Sequence, residues 1–394
     1  MKKRVFITGF GIISGIGCGE QETFDSLLNK KSGIGKVSLF ETTLNRYPVS
    51  EVKLTNEELI EIAGLPSGKR YSRTFLLGLI AARQAVNMAG YTTMPKAGMI
   101  GATTIGGMDL NEQHYVSLTS GDSTHKDIIP ATDTPHATEQ IADSFNIKSN
   151  VSTISTACSS SANSIMNGTR MIQNGILDCV LVGGMDALCK FSLNGFNSLE
   201  ILSPTGCRPF DKERDGVTLG EGAAFLILES EESAKGKTTY GEITGYANRN
   251  EAFHQTASSP DGVGARVTME QALKKTTLQP ADIDYINAHG TGTEINDLSE
   301  GNAIQSVFAD KVPYVCSTKG YTGHTLAAAG AIEAIICLLS LKHQTLFPNL
   351  RMDKPMEELS FIPVRETQNV NIQHVLSNSF GFGGSNTTLI ISKA

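Results

Sequence analysis

One pattern narrows the possible folds of this chain more than any other. A short apolar strand, a polar turn and a helix of small residues occur once in each half. In the first, Val151-Ser-Thr-Ile-Ser155 runs into Thr156-Ala-Cys158 and a small-residue helix over 159–171. In the second, Tyr314-Val-Cys316 runs into Ser317-Thr-Lys319 and a helix over 326–341. A recurring unit points to internal duplication. Helices of Ala, Ser and Gly let backbones approach closely, so both belong at the centre, sandwiched between sheets.

The rest of the chain has the same grain. Helical periodicity is clear at 75–88, 136–145, 162–173, 265–275, 298–307 and 326–341. β-Branched and apolar runs predict strands at 5–8, 99–104, 151–155, 179–182, 224–228, 285–288, 312–316 and 389–391. Strands alternating with helices predict an α/β protein with parallel sheets. At 394 residues the chain exceeds one average domain of about 100–200 residues. The polar stretch 231–237 divides it into halves, 1–235 and 236–394.

Composition excludes several classes. A net charge of −7 leaves no electrostatic footprint for nucleic acid. Charged residues are 19%, against about 25% in typical domains, which points to surface hidden in a subunit interface. Seven cysteines without a Cys-x-x-Cys argue against a disulfide framework or a zinc ribbon, and for a cytoplasmic enzyme with reduced thiols. Lys2, Lys3 and Arg4 ahead of an apolar stretch ending at Gly17-Cys18 imitate a lipoprotein leader. Glycines 9, 11, 15 and 17 interrupt that stretch, and it is too short for a membrane span, so the chain reads as unprocessed and soluble. Gly9-Phe-Gly11-Ile-Ile-Ser-Gly15 imitates a dinucleotide fingerprint with one residue too many; a tight turn after the strand is expected instead.

Cys158 stands where a strand ends and a helix begins, among hydroxyl residues. Helix N-terminal N–H groups stabilise a thiolate and lower its pKa, which makes Cys158 the candidate nucleophile. Cys179 and Cys337, inside apolar runs, read as small buried hydrophobes. His289 ends a strand and enters Gly290-Thr-Gly-Thr293; His324 follows Gly323 and opens the long helix. Ligands of α/β sheets bind at such strand ends, so these two of eight histidines are the candidates. His114, His125, His136, His343 and His374 read as surface or loop residues, and His254 stays open. One thiol and two imidazoles suit acyl transfer. Zinc would be a competing use, but no metal-ligand spacing accompanies the three, so no metal is expected. A papain-like hydrolase would carry a different sequence about its thiol and need no second histidine. Ser377 to Asn386, rich in Gly and Phe, offers a mobile backbone N–H for an oxyanion and an aromatic gate.

Four segments taken together carry a resemblance. Thr156-Ala-Cys158-Ser-Ser, His289-Gly-Thr-Gly-Thr293, Ser317-Thr-Lys319…Thr322-Gly-His324 and Asn378-Ser-Phe-Gly-Phe-Gly-Gly384 resemble those of elongating β-ketoacyl-[acyl carrier protein] synthases, in that family's order. Arg208-Pro-Phe-Asp211 through Gly222 and the segment 5–15 match as well, so the resemblance spans the whole chain. It implies a thiolase fold: two βαβαβαββ halves in a five-layered α/β/α/β/α sandwich, assembled as a homodimer or as a heterodimer with a homologue.

The resemblance also implies chemistry. Cys158 takes an acyl chain from a carrier-protein thioester, and malonyl on a second carrier loses carbon dioxide and attacks it. Substrates ride on the carrier's phosphopantetheine arm, and no other cofactor is implied. His289 and His324 would stabilise the enolate, and the backbone N–H groups of Cys158 and Phe382 would form the oxyanion hole. Lys319, paired with Glu333, would hold the site's electrostatics, and Thr291 and Thr293 would touch pantetheine. Ile105, Phe196, Phe380 and Phe382 would line or gate the acyl pocket. An acidic carrier calls for a basic patch, for which Lys69, Arg70 and Arg73 are the candidates. Asp297 and Glu300, just past His289, read as solvated residues of a first turn.

Two departures bear on the pathway. Ser-Ser-Ser-Ala-Asn after Cys158 is closer to polyketide-type enzymes, and Glu200 stands where a carrier-contacting arginine is common. The reading is an acyltransferase of fatty-acid, polyene or polyketide elongation. Its alternatives are a non-catalytic chain-length partner subunit, which usually lacks the thiol, and a thiolase using coenzyme A, which needs a second catalytic cysteine. Cys316, the nearest candidate for that second thiol, falls in a strand.

Overall fold

The computed structural model describes residues 3–120, 123–309 and 311–394; Lys2 of the leader-like run lies outside them. The first half contributes β1 (Val5–Ser14), α1 (Arg73–Met88), β2 (Gly98–Ala102), α2 (His136–Ser144), β3 (Val151–Ile154), α3 (Ser160–Gln173), β4 (Cys179–Asp186) and β5 (Gly222–Ser230). The second contributes β6 (Gly241–Asn250), α4 (Val263–Leu273), β7 (Tyr285–Asn287), α5 (Glu294–Val307), β8 (Tyr314–Cys316), α6 (Ala329–His343), β9 (His374–Gly381) and β10 (Ser385–Ser392). Each half thus runs βαβαβαββ.

The sheets repeat one another. Their orders are β3-β2-β4-β5-β1 and β8-β7-β9-β10-β6. In each, the second strand pairs in parallel with the third and fourth, and the remaining pairs are antiparallel. A short antiparallel contact, Phe6 with Glu242 and Ile7 with Gly241, joins the sheets along β1 and β6.

Three apolar cores separate five layers. Between the sheets, Ile165 and Ile172 of α3 and Ile332 and Ile335 of α6 pack with Val182, Leu226 and Leu389. On one outer face Leu77, Ala81 and Ile141 cover Leu181 and Phe225. On the other, Met269 and Ile304 cover Ile286 and Ile390. The central helices meet where side chains are smallest: a Cβ on Gly330 would lie 2.8 Å from that of Ala162. Ala331 N donates to Ser161 Oγ at 2.9 Å across the same contact. The segment Leu326–His343 is apolar enough to cross a membrane, but 89% of it is buried in this central layer.

The structure departs from the sequence pattern at several places, and β6 and β9 are strands that no predicted run marks. Gly9 and Gly11 of the near-fingerprint do not turn the chain; β1 runs on to Ser14, and the tight turn comes only at Gly15–Ile16, which leads back to Gly17–Cys18. Helix α1 lies directly on Gly9 and Gly11, where a Cβ would come within 2.3 Å of Ala85 O or 2.1 Å of Ala81 O. Ser377 to Asn386 is not a loose turn, because it belongs to the β9–β10 hairpin, which turns over Phe382–Gly384. Helices Glu20–Leu28, Asn56–Ile62, Met108–Thr119 and Lys190–Ser198 are additional to those the periodicity marks.

Candidate active site

Cys158 sits in the turn from β3 into α3. Ala157 holds a left-handed φ of 51°, a conformation that costs a non-glycine residue about 1–2 kcal/mol and reverses the chain just ahead of the thiol. Ser160 fixes this turn: its hydroxyl accepts from Thr156 N at 2.8 Å and donates to Ala157 O at 2.5 Å. Gly381 lets β9 lie against the turn, since a Cβ there would meet Thr156 O at 2.8 Å and Cys158 N at 3.3 Å. That approach brings the Phe382 N–H to the sulfur, beside the N–H of Cys158 itself.

Burial decides the state of the thiol. Cys158 is 5% exposed, and loss of water pushes its pKa up to about 11, against the pull of the Lys319 cation and the two N–H groups. The lowering expected from a helix N-terminus is therefore outweighed. Both imidazoles are pushed the opposite way. His289 is held well below the usual imidazole value by burial, Lys319 and His324, and His324 by burial and Lys319. Thiol and imidazoles are neutral at rest.

Lys319 organises one of the rings. Its ammonium donates to His289 O at 2.5 Å, lies 3.2 Å from His289 Nδ1 and pairs with Glu333, all in the interior. An ammonium can only donate, so Nδ1 accepts and the ring proton sits on Nε2. Burial raises Glu333 to about 7, with Lys319 pulling it back. The rings of His289 and His324 stand edge to face, with centroids 5.4 Å apart. Among the described residues neither ring nitrogen of His324 has a partner, although the residue is buried. A buried imidazole so placed is free to donate to or accept from a group entering the cavity.

Asp297 and Glu300 are not solvated. Both are buried and carry the loop after β7. Glu300 accepts from His289 N (2.9 Å), Gly290 N (2.8 Å) and Asn378 Nδ2 (3.0 Å). Asp297 accepts from Phe210 N at 2.7 Å and Gly292 N at 3.2 Å. Sequence spacing put them on a first turn but could not show that β9 closes over it. Glu300 holds the His289 backbone, and burial raises its pKa to about 7.

Cys158, His289 and His324 line the inner part of a cavity of about 380 Å³. Thr291 and Thr293, their hydroxyls 2.9 Å apart, form part of its wall, with Phe196, Phe380 and Phe382. Phe196 stacks on Phe382 with centroids 5.8 Å apart, and Phe380 packs on His289. Exposed Glu200, with φ 58°, lines the cavity together with Asp215 and Glu294. Ile105 is half-buried beside the Leu193–Phe196 cluster rather than in the cavity wall.

The basic patch does not hold together. Arg73 is buried and donates to both oxygens of Glu221, at 2.7 and 2.9 Å, because α1 begins inside the fold. Arg70 is exposed and pairs with Asp127, and Lys69 is exposed. The ligand atoms of Cys158, His289 and His324 lie within 4.8 Å of one another, near enough to surround a metal. The Lys319 ammonium bonded to His289 would repel a dication there.

Comparison with known proteins decides the family. Residues 2–234 match the family described as beta-ketoacyl synthase, N-terminal domain, and residues 240–353 match beta-ketoacyl synthase, C-terminal domain. The chain belongs to the β-ketoacyl synthase family. It is 34% identical to the 3-oxoacyl-[acyl-carrier-protein] synthase 2 of Staphylococcus aureus (strain COL), over 99% of this chain and 98% of that protein. It is 34% identical to the protein of the same name from Coxiella burnetii, over 100% and 99%. Among solved structures, the ishigamide ketosynthase/chain length factor superposes with a TM-score of 0.91 at 31% identity, over all of both chains. A ketosynthase from Xenorhabdus doucetiae, solved in complex with its chain length factor, gives 0.87 at 30%, over 100% of this chain and 98% of that one. These neighbours confirm that this β-ketoacyl synthase has the layered fold its sequence implied.

Proposed function

We propose that this β-ketoacyl synthase catalyses decarboxylative condensation of a malonyl thioester with an acyl group held on Cys158, both delivered on the pantetheine arm of acyl carrier protein. The observation that carries the reading is a buried thiol facing two neutral imidazoles, one of them with both nitrogens unpartnered. In the first stage the Cys158 sulfur attacks the acyl thioester; the new C–S bond forms, the pantetheine C–S bond breaks, and the thiol proton goes to the leaving sulfur. The Cys158 and Phe382 N–H groups face the sulfur and suit the oxyanion. In the second stage the malonyl C–C bond to its carboxylate breaks, carbon dioxide leaves, and the electron pair forms an enolate. His289, protonated on Nε2, and His324 donate to the enolate oxygen. The carbanion attacks the acyl carbonyl, and the Cys158 thiolate departs and regains a proton from water.

Lys319, with Glu333, sets the His289 tautomer. Thr291 and Thr293 suit the pantetheine amides, and Phe196, Phe380 and Phe382 gate the acyl path with Ile105 behind them. Lys69 and Arg70 remain candidate carrier contacts. No cofactor beyond the carrier's arm is called for, and the enzyme works in the cytoplasm as a dimer with its own copy or a homologue. The presence of the thiol favours the enzyme over the chain-length partner. The named relatives include both 3-oxoacyl-[acyl-carrier-protein] synthases and ketosynthases paired with chain length factors, and product mass separates a fatty-acid from a polyene or polyketide pathway. Incubation with acyl- and malonyl-carriers is expected to give an acyl adduct on Cys158 by intact mass and to release carbon dioxide. Cys158→Ala should form no adduct, and His289→Ala and His324→Ala should each lower decarboxylation at least about 100-fold. A wild-type protein that forms no adduct would overturn the reading.

A further inference from the structure

The ring of His324 poses a question of aim. Among the described residues no side chain hydrogen-bonds it, so its direction rests on packing against His289 and on the backbone on either side. Upstream, His324 N donates to Thr218 O at 2.7 Å and His324 O accepts from Gly220 N at 2.9 Å. Downstream, the chain passes through Leu326, with a left-handed φ of 51°, to Ala327, whose N–H donates to Asp186 Oδ2 at 2.8 Å. Asp186 ends β4 and is wholly buried. The same carboxylate grips the loop that carries Ile105. Its Oδ1 accepts from Thr103 Oγ1 (2.6 Å), Thr104 N (3.0 Å) and Ile105 N (3.3 Å), and its Oδ2 from Thr104 Oγ1 (2.6 Å).

We propose that Asp186 is a positioning residue that couples two parts of the site, registering the acyl-side loop 103–106 against the turn that aims His324. The inference rests on the function proposed above, since it assigns the loop to the acyl chain and the turn to the enolate. The chemistry requires a carboxylate. Two oxygens receive donors from both directions, and among the described residues no ion pair engages them. An amide offers one acceptor oxygen and an NH₂ that would face an N–H or O–H donor. Asp186→Asn therefore breaks the shared grip and loosens the loop and the turn against each other.

The test compares Asp186→Asn with Thr104→Val, which removes one loop contact and leaves the Ala327 contact intact. Asp186→Asn is expected to form the Cys158 acyl adduct, to lower decarboxylation about tenfold or more with KM for acyl-carrier within about twofold, and to broaden product chain length. Thr104→Val is expected to broaden chain length while decarboxylating malonyl-carrier at the wild-type rate. If Asp186→Asn lowers Tm but moves neither product profile nor decarboxylation, the coupling is wrong. If Asp186→Asn does not fold, an unchanged product profile in Thr104→Val overturns it alone. Failure of the wild type to acylate would instead strike the function, and the coupling is then read by NMR. The His324 imidazole signal should shift in Asp186→Asn while that of exposed His254 stays put; an unmoved His324 signal overturns it.

Discussion

Cys158 shows how far a single residue can be read from its neighbours in sequence. Its place at the mouth of a small-residue helix marked it as the nucleophile, but the same reasoning gave its pKa the wrong sign, because burial outweighs the helix end and Lys319 together. With a pKa near 11, the thiolate fraction grows tenfold with each pH unit below that value. Iodoacetamide should therefore alkylate Cys158 about tenfold faster per unit between about pH 6 and about pH 9, without a plateau near neutrality. Lys319→Ala removes the cation that opposes burial, so alkylation should slow at every pH. A plateau near pH 7, followed by mass spectrometry of the modified peptide, would contradict this. His289 and His324 were legible because short Gly- and Thr-rich turns announce them, whereas Lys319 was legible mainly through the family resemblance. Glu300 and Asp297 were not, since their partners Asn378 and Phe210 come from distant segments. Arg73 was misread for the same reason: nothing near it in sequence announces Glu221.

At the scale of elements, glycine had two meanings that sequence could not separate. In β1 it admits a helix backbone, whereas at Gly292 and Gly323, with φ of 76° and 64°, it turns the chain beside the two histidines. Gly330 is of the first kind, and Gly330→Leu should lower stability by about 1–3 kcal/mol through overpacking of α6 on α3, read from the urea midpoint. Gly381→Ala would press a methyl toward Thr156 O, 2.8 Å away, and shift the Cys158 turn. We expect condensation to fall at least about tenfold with little loss of Tm; unchanged turnover would show that the turn tolerates the methyl. Strand β9 escaped the pattern because Ser377, Asn378 and Ser379 are polar yet buried, so alternation never marked it as a strand.

At the scale of the molecule, β3 ends its sheet with one edge unpaired among the described residues, and Tyr115, Val116 and Ile129 stand 64%, 79% and 48% exposed. Open edges and apolar patches of this kind are covered in stable proteins. Light scattering should give twice the monomer mass, alone or with a homologous subunit, and Val116→Asp should shift the particle toward monomer; a wild-type monomer under both conditions would refute the dimer. The low charge fraction agrees with such hidden surface. The sequence by itself pointed to the duplication and to the thiol and two imidazoles as candidates, because strand–turn–helix geometry is set by residues that are neighbours in the chain, while the layering and the lysine came from the family resemblance. Only the tertiary structure decided which carboxylates are buried, that the thiol rests protonated, that Arg73 faces inward and that Asp186 ties two loops together. Burial and hydrogen bonding at those positions depend on β9, β4 and the two central helices meeting from opposite halves of the chain, and no local pattern encodes those meetings.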